Sequence, residues 1–162
     1  MQVILELFIC AHDGDSRVCF QKHCLNVSQS TRDPDRELGS FLESMGFPLE
    51  LDKACAHSTS WRYHDQGIVL TYLVWVGKEA IPLAAREYLN LDGADPPGSR
   101  GPFRPRPARI EEEDVLVHGL RHLSHLVRNQ DPFVTRAAEK TRAIHFFRSL
   151  TPVLAGQYWR AS

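Results

Sequence analysis

The chain has 162 residues, of which 43% are apolar and 24% charged, and its formal net charge is −1. This length and apolar content suffice for a single globular domain over residues 1–162, and they exclude an intrinsically disordered chain. A net charge near zero argues against a broad nucleic-acid-binding surface, which needs an excess of lysine and arginine. The longest apolar run, 68–76, is far shorter than the ~20 residues that cross a bilayer, so we expect a cytoplasmic protein without a membrane segment.

The first 27 residues predict an antiparallel hairpin. Residues 2–10 and 17–27 are rich in apolar and β-branched side chains, and 12–15 supplies the aspartate and glycine of a turn. Glu6 interrupts the first apolar run, and no basic residue precedes it. We therefore interpret this run as a strand and not as a signal peptide.

A short helix and a second hairpin follow. Residues 34–45 carry apolar side chains at helical spacing, and Gly46 suits the left-handed conformation that ends a helix. In 57–64, residues alternate between an aromatic face that contains Trp61 and a polar face, so we expect Trp61 to be buried. Residues 68–76 are apolar on both faces, which predicts a central strand.

The second half of the chain predicts mainly helices. We expect a short helix over 79–91, a long one over 111–130 with a leucine stripe, and another over 133–150. Between the first and second of these helices, residues 94–109 contain five prolines and four arginines, which is typical of a flexible surface loop. The aromatic tail 157–159 is expected to dock on the domain.

Four cysteines occur without a CxxC pair or the spacing of a zinc finger. Because most lie in or beside apolar runs, we expect buried free thiols in a reducing compartment. The residues concerned are Cys10, Cys19, Cys24 and Cys55.

Three histidines, His118, His122 and His125, share one face of the predicted helix 111–130. Imidazoles at i, i+4 can bind a transition metal, but position 119 is glycine where the zinc motif HExxH has glutamate. The histidine face also lies opposite the leucine stripe. We therefore predict a solvent-exposed polar face, assign no cofactor, and keep a zinc site on these histidines as the alternative.

The strand 57–64 carries the candidate ligand site. Arg62 has the planar guanidinium that binds carboxylate or phosphate in a bidentate manner, and neighbouring hydroxyls can fill the remaining acceptors. Trp61 would form a rigid wall behind the bound anion. The predicted ligand-binding residues are Glu43, His57, Ser58, Ser60, Arg62 and His64.

The order of hairpin, helix, glycine and long hairpin resembles the Nudix superfamily, and the segment 42–47 resembles the end of its signature, Gx5Ex7REUxEExGU. The resemblance implies an α+β fold with a mixed, largely antiparallel sheet and helices on both sides. In that superfamily, the glutamates of the signature hold magnesium against a diphosphate. Aligned on Gly46, the chain keeps Glu43 but has Ser44 at the second glutamate; aligned on Gly93, it keeps Glu87.

The resulting functional hypothesis is a non-catalytic or atypical Nudix-like protein that binds a small anionic molecule or a protein partner. One alternative is a metal-dependent hydrolase of a nucleoside-diphosphate-type substrate that uses Glu43, Glu87 or the three histidines. Another alternative is a structural homodimer formed by helix 111–130 and the aromatic tail. We expect no nucleic-acid or membrane partner.

Overall fold

The structure is a computed structural model that describes residues 2–27, 33–47, 53–64, 67–92 and 109–155. Its strands are β1 (Gln2–His12), β2 (Arg17–Asn26), β3 (Cys55–His64), β4 (Gly67–Trp75) and β5 (Glu87–Asn90). Its helices are α1 (Pro34–Ser44), α2 (Glu112–Arg128), α3 (Pro132–Lys140) and α4 (Ile144–Ser149).

The five strands form one mixed sheet in the order β3-β4-β1-β2-β5. Strands β1 and β4 are parallel, and every other neighbouring pair is antiparallel. Helix α1 packs on one face of the sheet, while α2, α3 and α4 pack on the other. The predicted α+β class, with a largely antiparallel sheet and helices on both sides, is confirmed. Its likeness to the Nudix fold stays a prediction.

The first hairpin and α1 form where the sequence predicts them. Gly14 has a φ of +107° in the turn between β1 and β2. The side chain of Asp33 accepts hydrogen bonds from the first backbone amides of α1, and Gly46 follows the helix with a φ of +67°. Leu38 and Leu42 bury the apolar face of the helix against the sheet.

Strand β4 is the interior strand that the sequence predicts. It lies between β3 and β1, and the residues from 71 to 75 are buried. Leu73 and Trp75 face the core under α2, while Tyr72 and Val74 face the core under α1. The alternating side chains of β4 therefore connect both halves of the core.

The predicted helix over 79–91 is wrong. This segment contains two short 3-10 turns, Lys78–Ala80 and Leu83–Ala85, followed by β5. Pro82 interrupts any helix here, because it lacks the amide hydrogen that an inner helical turn requires. In β5, Leu89 is buried while Tyr88 is exposed, as expected for a strand with period two.

The predicted single helix over 133–150 is also wrong, because the chain turns between α3 and α4. Arg142 has a φ of +59° in this turn. The hydroxyl of Thr141 donates to the carbonyl of Ala137 and accepts a hydrogen bond from the indole of Trp75. The turn thereby places Phe146 and Phe147 on the ring of Trp75.

The leucine stripe predicted on α2 is buried, but the histidine face opposite it is not solvent-exposed. His122 is only 6% exposed. The chain folds back over α2 after α4, where the backbone amide of Val153 donates to the carbonyl of Arg121. The ring nitrogen Nδ1 of His122 hydrogen-bonds to the backbone carbonyl of Val153. Gly119 permits the close packing of α2, since a Cβ there would lie 2.9 Å from the side chain of Leu73.

Two predicted segments lie outside the described residues: almost all of the loop 94–109, and the tail 157–159. Of the four cysteines, Cys10 and Cys19 are buried as predicted, whereas Cys24 is exposed. Among the described helices, none has the length and apolar character needed to cross a bilayer.

Candidate functional site on strand β3

Strand β3 contains a β-bulge at Thr59. Ser58 lies opposite Tyr72, and Ser60 lies opposite Thr71, so Thr59 is an extra residue without its own partner in β4. An extra residue shifts the alternation of side chains by one position. Side chains after the bulge therefore point to the faces opposite those expected for a regular strand.

The bulge changes which residues of β3 share a face. His57, before the bulge, and Arg62, after it, both face α2, whereas Trp61 and Tyr63 face the side of the sheet on which α1 packs. The predicted burial of Trp61 is wrong, because Trp61 is 52% exposed and Tyr63 is 65% exposed. Their rings meet edge to face with centroids 5.4 Å apart.

The guanidinium of Arg62 is already paired with a carboxylate of its own chain. Glu6, in the middle of β1, is only 3% exposed. The guanidinium of Arg62 donates to both carboxylate oxygens of Glu6, at 2.8 and 2.9 Å, and Thr71 donates its hydroxyl at 2.9 Å. Lys22 of β2 lies 3.2 Å from Glu6 and also pairs with Glu112 at the start of α2. We call these five residues the Glu6 cluster.

The Glu6 cluster keeps its buried carboxylate ionised. Burial by itself raises the pKa of Glu6, but the hydrogen bonds and charge of Arg62, together with Thr71 and Lys22, outweigh it and lower the pKa. A buried charge is tolerated only when it is paired and hydrogen-bonded in this way. Arg62 therefore compensates an internal charge and anchors β3 to β1.

A group of imidazoles lies on the α2 side of β3. The ring of His57 meets the ring of His122 edge to face at 5.2 Å, and His122 lies 6.3 Å from His125. Burial is the main cause that lowers the pKa of His118 and of His122, and neighbouring imidazoles lower both further. Burial also lowers the pKa of His23 on β2. The imidazoles of His118, His122 and His23 are therefore neutral at neutral pH.

Acidification is expected to destabilise the fold before the buried Glu6 is protonated. Because the folded-state pKa values of His118 and His122 lie below 6.5, the unfolded chain binds more protons as the pH falls below about 6.5. The free energy of unfolding should then decrease as the pH falls below about 6.5, above the range in which Glu6 is protonated, since the pKa of Glu6 is lowered. Urea unfolding at a series of pH values measures this.

The variant His122→Asn should reduce the slope of stability against pH, since its amide can still donate to Val153 but cannot be protonated. His145, exposed on α4, provides the matched control. If His145→Asn reduced the slope as much as His122→Asn, the buried imidazoles would not be its source.

The structure does not bring the six predicted ligand-binding residues together. Glu43 is exposed on α1, and Ser58 faces the same side of the sheet. The other four residues, His57, Ser60, Arg62 and His64, face the α2 side. Since Trp61 also faces the α1 side, it cannot form a wall behind Arg62, and this part of the prediction is wrong.

The residues of the alternative hydrolase site are also separated. Glu43 lies on α1, Glu87 lies on β5 at the far edge of the sheet, and the three histidines lie on α2. Within the described part of the chain, no three His, Cys, Asp or Glu side chains form a group that could hold a metal ion. A cleft of about 20 Å³ between Leu91, Arg121 and Leu150 is far smaller than the roughly 300–1,000 Å³ of most small-molecule sites.

Sequence reasoning missed Glu6 as the partner of Arg62, and it missed Lys22 as a second cation beside Glu6. The available signal was Glu6 itself, a carboxylate in the middle of an apolar strand. A strand that is buried on both faces cannot keep an unpaired carboxylate, so a cationic partner elsewhere in the chain was required. Its identity depended on the sheet order, which the strand pattern does not give.

Comparison of the chain with protein-family models, with curated proteins and with solved structures finds no match to any of the three.

Proposed function

We propose that this chain is a protein-binding module that receives an extended segment of a partner protein along the edge of β3. The observation that carries the proposal is the exposure of two neighbouring aromatic side chains, Trp61 and Tyr63, on β3, which is an edge strand of the sheet formed by the described residues. Tryptophan and tyrosine are the residues most enriched in the energetic centres of protein interfaces. An added strand would gain main-chain hydrogen bonds from the edge and side-chain contacts from the aromatic pair.

The aromatic pair belongs to a larger apolar surface on the α1 side of the sheet. Tyr63 is next to Ile68 on β4, and Ile68 is next to Val3 on β1. Trp61 is next to Leu70 in the adjoining row. Ile68, Leu70 and Val3 are half-buried, and Leu70 also packs against the core under α1. The exposed aromatic pair therefore borders partly exposed apolar side chains, and large apolar surface patches often mark interaction sites.

Strand β3 is also fixed to the interior of the sheet by an ion pair. Arg62 lies between the two aromatic residues and is fixed by its bidentate pair with Glu6. A strand whose conformation is set before binding loses less entropy when a partner orders against it. Because the guanidinium is already neutralised, we assign recognition of the partner to the aromatic pair and to the backbone of β3. We do not assign Arg62 a role in binding an anionic ligand.

Selection from a library of unstructured peptides displayed on phage tests this proposal. The selected peptides should alternate apolar and polar residues with the period of a strand. Their affinity for the Trp61→Ser/Tyr63→Ser variant should be at least about tenfold lower, since truncating an interface centre costs ~2 kcal/mol or more. Affinity is measured by fluorescence anisotropy of the labelled peptides.

Tyr88→Ser is the matched control, because Tyr88 is an exposed tyrosine on β5 at the opposite edge of the sheet. This variant should bind the selected peptides like the wild type. The proposal fails if no peptide is selected, or if the selected peptides bind the Trp61→Ser/Tyr63→Ser variant as well as they bind the wild type.

A further inference from the structure

We infer that the extended segment received by β3 is the same strand of a second copy of this chain, an inference that rests on the proposed function. The two copies pair antiparallel over Ser60–His64 about a twofold axis at Arg62. The result is a homodimer in which the five described strands of each copy form one continuous sheet of ten.

The positions of the aromatic residues make the edge complementary to itself. In an antiparallel pair centred on residue 62, position 61 of each copy lies directly opposite position 63 of the other copy. Trp61 would therefore contact Tyr63 of the partner subunit, and Tyr63 would contact Trp61 of the partner subunit. The four rings share one face of the sheet, because directly opposed residues in a ladder point to the same side.

The charges along the edge permit this pairing. Arg62 would face Arg62 of the partner subunit at the axis, where two unpaired guanidinium groups would repel each other. Each guanidinium is already bound to both oxygens of Glu6 in its own chain. The net charge of each copy is only −1, so long-range repulsion between the copies is small.

The edge strand β5 has features that protect it against pairing with another copy, whereas β3 can pair over part of its length. Strand β5 has only four residues, and Tyr88 on it lies under the guanidinium of Arg17. Short, charged strands are a common protection against edge-to-edge pairing. Strand β3 has ten residues, and its bulge at Thr59 confines regular pairing to Ser60–His64. A contact of this small size predicts a dissociation constant on the order of micromolar.

Sedimentation velocity of the full chain, from low micromolar to near-millimolar concentration, tests the dimer. The wild type and Tyr88→Ser should shift from monomer to dimer, and Trp61→Ser/Tyr63→Ser should stay monomeric with an unchanged far-ultraviolet circular dichroism spectrum. A wild type that is monomeric at all concentrations overturns the inference. Dimerisation that persists in the Trp61→Ser/Tyr63→Ser variant overturns it as well.

Disulfide crosslinking tests the register. In a Cys24→Ser background, which removes the exposed native thiol, chains carrying Trp61→Cys are mixed with chains carrying Tyr63→Cys. The inferred register puts positions 61 and 63 of opposite copies about 5 Å apart, whereas like positions are about 7–8 Å apart, beyond the reach of a disulfide. Mixed dimers should predominate over like dimers by at least about tenfold, and equal yields would overturn the register.

The proposed function and the dimer can be tested separately. If the wild type is monomeric but peptides bind at Trp61 and Tyr63, the partner is another protein, and only the inference of a second copy fails. If the wild type is monomeric and no peptide is selected, both fail.

Discussion

Replacing Arg62 with methionine should lower the free energy of unfolding by about 3 kcal/mol, as measured by urea denaturation at pH 7. Removing one partner of a buried ion pair typically costs ~3–5 kcal/mol, because the other charge remains buried without compensation. Lys22 still lies 3.2 Å from Glu6, so we expect a value at the lower end of this range. The pKa of Glu6 should rise in this variant, since its strongest stabilising partner is lost.

The double variant Glu6→Leu/Arg62→Met is the control for this prediction. Buried ion pairs replaced by apolar residues of similar volume are often as stable as the original pair. The double variant should therefore recover most of the stability lost in Arg62→Met, and Lys22 would keep Glu112 as its partner. If the double variant were less stable than Arg62→Met, the cost would arise from packing and not from the buried carboxylate.

Replacing Trp75 with alanine should lower the free energy of unfolding by about 3–5 kcal/mol, the usual cost of removing a large buried aromatic side chain. Trp75 is fully buried, and its ring lies 4.6 Å from that of Phe147 and 5.8 Å from that of Phe146. Its indole also donates to Thr141 at the turn after α3. We therefore expect faster amide hydrogen exchange in α4 as well as a lower urea midpoint.

Trp61→Ala is the matched control, because it removes the same side chain from the neighbouring strand at an exposed position. Exposed substitutions usually change stability by less than about 0.5 kcal/mol. A similar loss of stability in the two variants would contradict the distinction between a buried Trp75 and an exposed Trp61.

Local signals in the sequence were sufficient for much of the fold. The capping aspartate and the glycine stop predicted α1, and the apolar run at 68–76 predicted β4, because a strand without a polar face has to be covered on both sides. The leucine stripe predicted the buried face of α2. Each of these patterns depends on neighbouring residues alone.

The predictions that failed required information from distant parts of the chain. The bulge at Thr59 reversed the expected faces of Trp61 and Arg62, and bulges have no fixed sequence signature. The pairing of Arg62 with Glu6 joins residues that are 56 positions apart. His122 is buried because the segment after α4 crosses α2, which the pattern of α2 itself cannot indicate.

The sequence therefore placed its candidate site on the same strand as the interaction surface that we propose, but with different residues. Arg62 was predicted to bind an anion because its carboxylate partner could not be identified from the sequence. Trp61 was predicted to lie in the core because regular alternation placed it on the inner face. The interaction surface that we propose became visible only when the register of β3 against β4 was known.

Amide hydrogen exchange along β3 tests the central claim most directly. We predict that a saturating selected peptide, or a high concentration of the chain itself, slows exchange within 60–64 and that the Trp61→Ser/Tyr63→Ser variant shows no such protection. Exchange rates at 60–64 that stay unchanged while protection appears elsewhere on the surface would contradict the claim that the edge of β3 is the binding site.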